Sequence, residues 1–383
     1  MNVKIEFAPV ECSVPWDAYV KKHPNGTLYH LSGWRNVIRN TYGHKTYYLM
    51  ATRNLQETTN SLTTKQKLVT QEKQNSRQDE IVGVLPLVHL KHFFGGNSLI
   101  SIPFFDMAGV LADNAEIENE LICEAIKLGR ELSVSHLEIR QTRPMAPEYC
   151  NKSSLDFSGA LNLKMETPKV RMMLELAQSS EKMLQSFKAK LRSQIKKPIK
   201  EGLRVAVGGQ ELVEDFYSVF VRNMRDLGSP VHSKDLILSV FEEFNDCANI
   251  IVVNKEDRPL AVSLIMGFNN VLQNPWASSL REYSNLSPNM LLYWSMLEYA
   301  CNNGFSFFDF GRSTPGSGTY KFKKQWGANG DTLYWHLLYL KDQSESKDLT
   351  NNKKVEMAIN CWRKMPIPIT KIIGPMIRKY IGL

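Results

Sequence analysis

The chemistry-bearing residues of this chain gather in one stretch. Phe308-Asp309-Phe310-Gly311-Arg312 reads as a strand ending at a cation, and residues 313–320 as a Gly/Ser-rich loop. Lys321-Phe322-Lys323-Lys324-Gln325-Trp326-Gly327 then sets three lysines and two aromatics within seven residues. Glycines let a backbone approach a ligand, and a lysine beside an aromatic can hold a developing oxyanion where water is partly excluded. The same spacing also fits solvated lysines on a turn. Other chemistries find no support. The eight histidines are scattered, and the nearest pair, His89 and His92, has no carboxylate spaced for a metal. No G-x-S-x-G elbow, Walker A loop or G-x-G-x-x-G follows a strand. The reading therefore expects neither metal, covalent intermediate nor nucleotide hydrolysis.

The elements around this stretch occur twice. Strand-like runs at 81–90 and 98–102 lead into the loop Pro103-Phe104-Phe105-Asp106-Met107-Ala108-Gly109, then a helix over 118–132 and a strand over 137–140 ending at Arg140. Strand-like runs at 260–268 and 271–278 lead into a loop at 281–288, a helix over 289–301 and a strand over 305–310 before Arg312. Two strand–strand–helix–strand units imply an internal duplication and mixed, partly antiparallel sheets flanked by helices. Between them, residues 188–204 carry seven Lys or Arg and one acid. Phe187, Leu191, Ile195 and Ile199 recur every four residues, which predicts one buried stripe, a cationic opposite face and a kink or break at Pro198. That face fits either a solvated helix or a clamp for phosphate.

With 383 residues, 43% hydrophobic and 22% charged, the chain is an ordinary folded protein of about two domains. Its 47 basic against 39 acidic residues give a formal +8, which favours anionic partners. Six cysteines without a C-x-x-C pair fit a reducing compartment. No secretion signal or spanning run is expected, so the reading is cytoplasmic. A polar stretch, 53–80, reads as an insertion in the first domain. The last residues alternate Ile372, Ile373, Met376, Ile377, Tyr380 and Ile381 with Lys371, Arg378 and Lys379. They suggest an amphipathic segment on the inner membrane face, with Trp362 and Tyr380 as headgroup-level anchors, or one packed back on the protein.

Phe322-Lys323-Lys324-Gln325-Trp326-Gly327 behind Phe308-Asp309-Phe310-Gly311-Arg312 resembles the C-terminal signature of the FemAB/FemX aminoacyltransferases of peptidoglycan bridge formation. The nearest look-alike is the branch associated with PEP-CTERM/exosortase and exopolysaccharide loci. Residues 81–87, 101–104, 191–202, 224–231 and 274–280 agree, so the resemblance spans about residues 15–340. It implies an α/β (α+β) chain of two tandem GNAT-like domains, 1–165 and 166–345, followed by a linker and amphipathic segment, 346–383. It implies a metal-free acyl or aminoacyl transferase without an acyl-enzyme, in which an F-K-x-x-(aromatic)-G motif stabilises the tetrahedral intermediate.

On this chain that motif assigns the oxyanion to Lys323, shaping of the site to Phe322, and ordering to Arg312 and Asp309. Trp276, Tyr293 and Trp326 would line the site. The family's early aromatic corresponds to Trp34, although Ser32 replaces the basic residue two positions before it. The basic helix supplies Arg192, with Lys190, for phosphate, and Asp106 lies on a substrate-lining loop. The implied acceptor is a lipid- or nucleotide-linked glycan precursor, with no DNA partner. The donor stays open between aminoacyl-tRNA and acyl-CoA. The loop Arg281-Glu282-Tyr283-Ser284-Asn285-Leu286-Ser287-Pro288-Asn289 lacks the glycines with which acetyl-CoA enzymes grip pyrophosphate, and the long-helix extension toward tRNA is missing too. The alternatives are a small-molecule acyl-CoA transferase and a non-catalytic glycan- or RNA-binding protein.

Overall fold

The computed structural model describes residues 3–54, 79–92, 96–145, 162–167, 169–341 and 353–382. Most of the expected 53–80 insertion, and the start of the expected 346–383 segment through residue 352, lie outside them. The first unit runs β1 (Val3–Phe7), α1 (Ser13–Lys22), α2 (Gly33–Tyr42), β2 (Lys45–Arg53), β3 (Glu80–Lys91), β4 (Asn97–Ile100), β5 (Leu111–Ala112), α3 (Ala115–Glu131), β6 (His136–Gln141) and β7 (Asn162–Glu166). The second runs β8 (Val170–Glu175), α4 (Ser180–Ser186), α5 (Ala189–Lys200), β9 (Leu203–Gly208), α6 (Val213–Leu227), α7 (Lys234–Phe244), β10 (Ala248–Lys255), β11 (Arg258–Phe268), β12 (Val271–Ser279), α8 (Pro288–Asn302), β13 (Phe307–Ser313), α9 (Gly318–Gln325) and β14 (Asn329–Thr332). β15 (Tyr334–Tyr339), α10 (Lys353–Lys364) and α11 (Ile367–Arg378) follow. Among the described residues no helix is long and apolar enough to cross a membrane.

The duplication is plain in the strand pairing. In each unit an antiparallel pair is followed by a helix whose apolar face covers the sheet, and the next strand returns parallel, as a helical crossover requires. β4 pairs in parallel with β6 over Ser98–Ile100, and β12 with β13 over Val271–Gln273. Both parallel pairings then stop, and the strands part. α3 forms where Asn114 accepts a hydrogen bond from the Ile117 amide and Ile117, Leu121, Ile122, Ala125 and Leu128 bury one face.

The expected domain boundary needs one correction. The sheets read β1-β2-β3-β4-β6-β15-β7 and β14-β8-β13-β12-β11-β10-β9, so β15 completes the first sheet although it follows the second unit. Two short steps, β7 to β8 and β14 to β15, carry the chain across. Residues 334–339 therefore leave the expected 166–345 domain because their hydrogen-bond partners are β6 and β7. The units also meet through α2 and α7, where the Trp34 and Phe244 rings lie 4.9 Å apart. A Cβ on Gly33 would come within 2.8 Å of Phe244, so only glycine permits that approach.

Two other expectations change. Pro198 does not break the basic helix: it falls in the last turn of α5, where only one amide bond is forfeited, and is itself buried with Leu191 and Ile195. Ile199 is 53% exposed, so the predicted stripe stops one turn early. The C-terminal segment folds back: Trp362 is buried, not a headgroup anchor, and Gly374 lies so close to Val231 that a Cβ there would meet it at 2.9 Å. Its other side, with Ile369, Ile372 and Met376, stays exposed.

Trp34 is wholly buried, donates Nε1 to the Leu28 carbonyl at 2.9 Å, and packs on Phe105 at 4.4 Å. Its replacement by alanine should cost about 3–5 kcal/mol, as for a large aromatic lost from a core. Urea unfolding followed by circular dichroism checks this.

Candidate active site

The parting of β12 and β13 makes a wedge, and both strands widen it with a bulge. Three steps of β12 (Gln273 to Trp276) run opposite two steps of β11, and three steps of β13 (Asp309 to Arg312) run opposite two steps of β8. Such an extra residue bends a strand and turns its backbone groups out of the ladder. A cavity of about 450 Å³ opens there. Asn274 and Trp276 form one wall, Phe310 and Arg312 the other, with Tyr293 from α8 and Lys323 from α9. The first unit closes it with Tyr29, Phe104, Phe105 and Asp106.

The β13 bulge is held by charge. Gly311 has φ +72°, open to glycine at little cost, and its amide donates to Asp309 Oδ1 at 2.7 Å. The other carboxylate oxygen accepts from Arg171 Nε of β8 at 2.7 Å. Two successive carbonyls thereby turn toward α9, where Lys323 Nζ donates to Gly311 at 3.1 Å and Arg312 at 2.7 Å. An ammonium has three donors, so one remains for a ligand. Of the three lysines in this stretch only Lys323 is buried; Lys321 and Lys324 are exposed. Burial lowers its pKa to about 8, opposed by the nearby carboxylates of Asp309 and Asp106 and reinforced by Arg312.

Arg312 Nη1 donates to Asp106 Oδ1 at 2.8 Å and so ties the two units across the cavity. Burial raises the Asp106 pKa despite Arg312 and Arg140 beside it. Arg140 holds the Asp106 loop from below: its Nη1 donates to the Phe105 carbonyl at 2.8 Å while its Nε engages Glu138. Phe104, at φ +77°, is a bulky residue in the left-handed region, a strained conformation of the kind that persists where the surroundings fix it.

The structure thus brings Lys323, Arg312, Asp106, Trp276 and Tyr293 to one cavity, with Asp309 directly behind. Phe322 braces Tyr293 edge-on at 4.9 Å and does not itself line the cavity. Four expected binding residues lie elsewhere. Trp34 is core behind Phe105. Arg192 ties the end of α4, donating to the Phe187 carbonyl at 2.6 Å, and Lys190 lines a separate cleft of about 690 Å³ with Trp326. Trp326 is buried against Phe187 at 5.5 Å between that cleft and Phe322. Sequence reasoning missed Tyr29, His232, Arg171 and Arg378, which come from segments without motif character; only the cationic spacing of the tail hinted at the last. Among the described residues no three His, Cys, Asp or Glu side chains gather as metal ligands.

Comparison with known proteins agrees with the fold. The acetyltransferase (GNAT) domain family matches residues 185–324. The crystal structure of FemX is similar at 15% identity, covering 87% of this chain and 96% of its own, with a TM-score of 0.61. A conserved protein of unknown function from Bacteroides thetaiotaomicron shares 7% identity over 88% of this chain and 100% of its own, with a TM-score of 0.51. No curated protein is significantly similar in sequence. The chain accordingly has a two-unit GNAT-like fold similar to that of FemX, and residues 185–324 match the acetyltransferase (GNAT) domain.

Proposed function

We propose that this protein is an acyl or aminoacyl transferase that modifies an amine on an anionic cell-envelope glycan precursor, with Lys323 as the oxyanion-stabilising group. The observation that carries the reading is a buried ammonium on the cavity wall with two donors fixed on backbone carbonyls and the third free. The amine lone pair attacks the carbonyl carbon of an activated ester or thioester, and the C–N bond forms as the carbonyl electrons move to oxygen. Lys323 meets that oxygen. Collapse breaks the C–O or C–S bond, and Asp106, its carboxyl made more basic by burial, takes the amine proton and passes it to the departing oxygen or sulfur, so that the donor leaves as its alcohol or thiol.

An aminoacyl ester donor is favoured by the loop before α8. It holds no glycine, Ser287 is left-handed, and Pro288 opens the helix without an amide hydrogen, which is a poor cradle for pyrophosphate. The matching acetyltransferase domain favours a second reading in which acyl-CoA is the donor. The proposal also places the protein at the inner leaflet through the exposed side of α11. Ile369, Ile372, Ile373 and Met376 follow helical spacing there, in a tail whose basic residues outnumber its acids.

Lys323→Met should lower kcat by about 10²–10³-fold, the effect of losing one oxyanion donor. Mass-spectrometric transfer assays supplied with aminoacyl-tRNA or acyl-CoA read this and identify the donor; unchanged turnover discards the role. Because Lys323 acts charged, wild-type kcat should fall as pH rises through about 8, whereas a lysine acting as base would make it rise. In vesicle co-sedimentation, Ile372→Ser with Met376→Ser should release the protein from phosphatidylglycerol-containing membranes without changing kcat on a water-soluble acceptor.

A further inference from the structure

The cavity has a wall that belongs to neither GNAT-like unit. Arg378, the last residue of α11, reaches it from the C-terminal segment and is 8% exposed. Its Nε donates to His232 Nε2 at 3.0 Å. A nitrogen that accepts carries no proton, so the neutral ring holds its hydrogen on Nδ1 and directs it to the Tyr42 hydroxyl at 2.7 Å. Burial and the facing guanidinium keep the His232 pKa far below its ordinary value, so this tautomer does not titrate near neutrality. Tyr42 of the first unit, His232 of the second and Arg378 of the tail form one chain of hydrogen bonds that aims a guanidinium.

The aimed end is unspent. Among the described residues Arg378 has no carboxylate within salt-bridge distance, and its Nη atoms have no hydrogen-bond partner. Phe104 lies beneath it, with the guanidinium carbon 5.9 Å from the ring centre. The charges lining the cavity are Arg312, Lys323 and Arg378 against Asp106 alone. Burial, with Arg312 and Arg140 nearby, lowers the Arg378 pKa to about 10. A guanidinium held among cations on the wall of a polar cavity, its Nη groups without a hydrogen-bond partner among the described residues, matches the fork geometry of a phosphate or carboxylate.

The tail is fixed so that this aim persists. The Gly382 carbonyl accepts from the Phe104 amide at 2.6 Å, and the Lys379 carbonyl accepts from His44 at 2.8 Å. We infer that Arg378 is an anion-binding residue delivered by the C-terminal helix, which engages a phosphate or carboxylate carried by the acceptor, with His232 and Tyr42 as its positioning residues. The identification of the ligand as acceptor rests on the transferase reading; the anion site itself does not.

Isothermal titration of the full-length protein with pyrophosphate, inorganic phosphate and acetate tests it without any acyl donor, and the order of affinities separates phosphate from carboxylate. Wild type should bind at least one of the three saturably, and Arg378→Gln should weaken that binding at least tenfold. Arg378→Lys, which keeps the charge and loses the fork, should fall between them. Hydrogen exchange over 367–378 shows whether the helix stays docked. If Arg378→Gln releases it, Arg378→Lys decides, because wild-type affinity in a docked Arg378→Lys overturns the fork. Equal binding by wild type and Arg378→Gln, or no saturable binding of any probe, overturns the site. Anion binding that survives alongside absent acyl transfer would instead count against the transferase reading alone.

Discussion

The cavity depends on a buried ammonium held by two backbone carbonyls. Without the bulge in β13, the Gly311 and Arg312 carbonyls would be spent in the sheet ladder and Lys323 would be a buried cation with no partner, which is costly. The bulge in turn depends on Asp309, whose two oxygens are divided between the Gly311 amide and Arg171. Charge, strand irregularity and cavity are therefore one device. Asp309 acts on the chemistry through the backbone it shapes, although it touches no space a ligand would fill.

The same wedge occurs in both units, yet their contents differ. In the second unit the space between the parting strands is the cavity. In the first, the chain beyond β4 turns into the loop that carries Phe104, Phe105 and Asp106 into the neighbour's wedge, and Ser101 is tied to β6 by hydrogen bonds to Glu138 and Arg140. One copy of the duplicated unit thus supplies the cavity and the other the loop and carboxylate that close it. The Arg312–Asp106 bridge joins the halves at the point where chemistry is expected.

Much of this was legible beforehand because it rests on local pattern. The strand–strand–helix–strand repeat follows from periodicity and turn residues, and Lys323 from its place between aromatics after a glycine-rich loop. What was not legible depends on long-range packing. Nothing local says that β15 joins the first sheet, since an alternating strand fits either. Trp34 reads the same whether it faces a ligand or lies behind Phe105. Arg192 sits on a cationic helix face as expected, but where that face points is set by how α5 packs. The tail showed an amphipathic period without revealing that its buried side ends in the cavity.

The β14-to-β15 step bears on how the chain is made. During synthesis the first sheet has an unsatisfied edge at β6 that nothing nearby can close, because β7 pairs only through β15. That edge must wait until nearly two hundred further residues have left the ribosome. Contacts so distant in sequence slow folding and leave exposed strand edges open to mispairing. The two halves consequently mature together, and an N-terminal fragment ending at β6 would carry a raw, adhesive border.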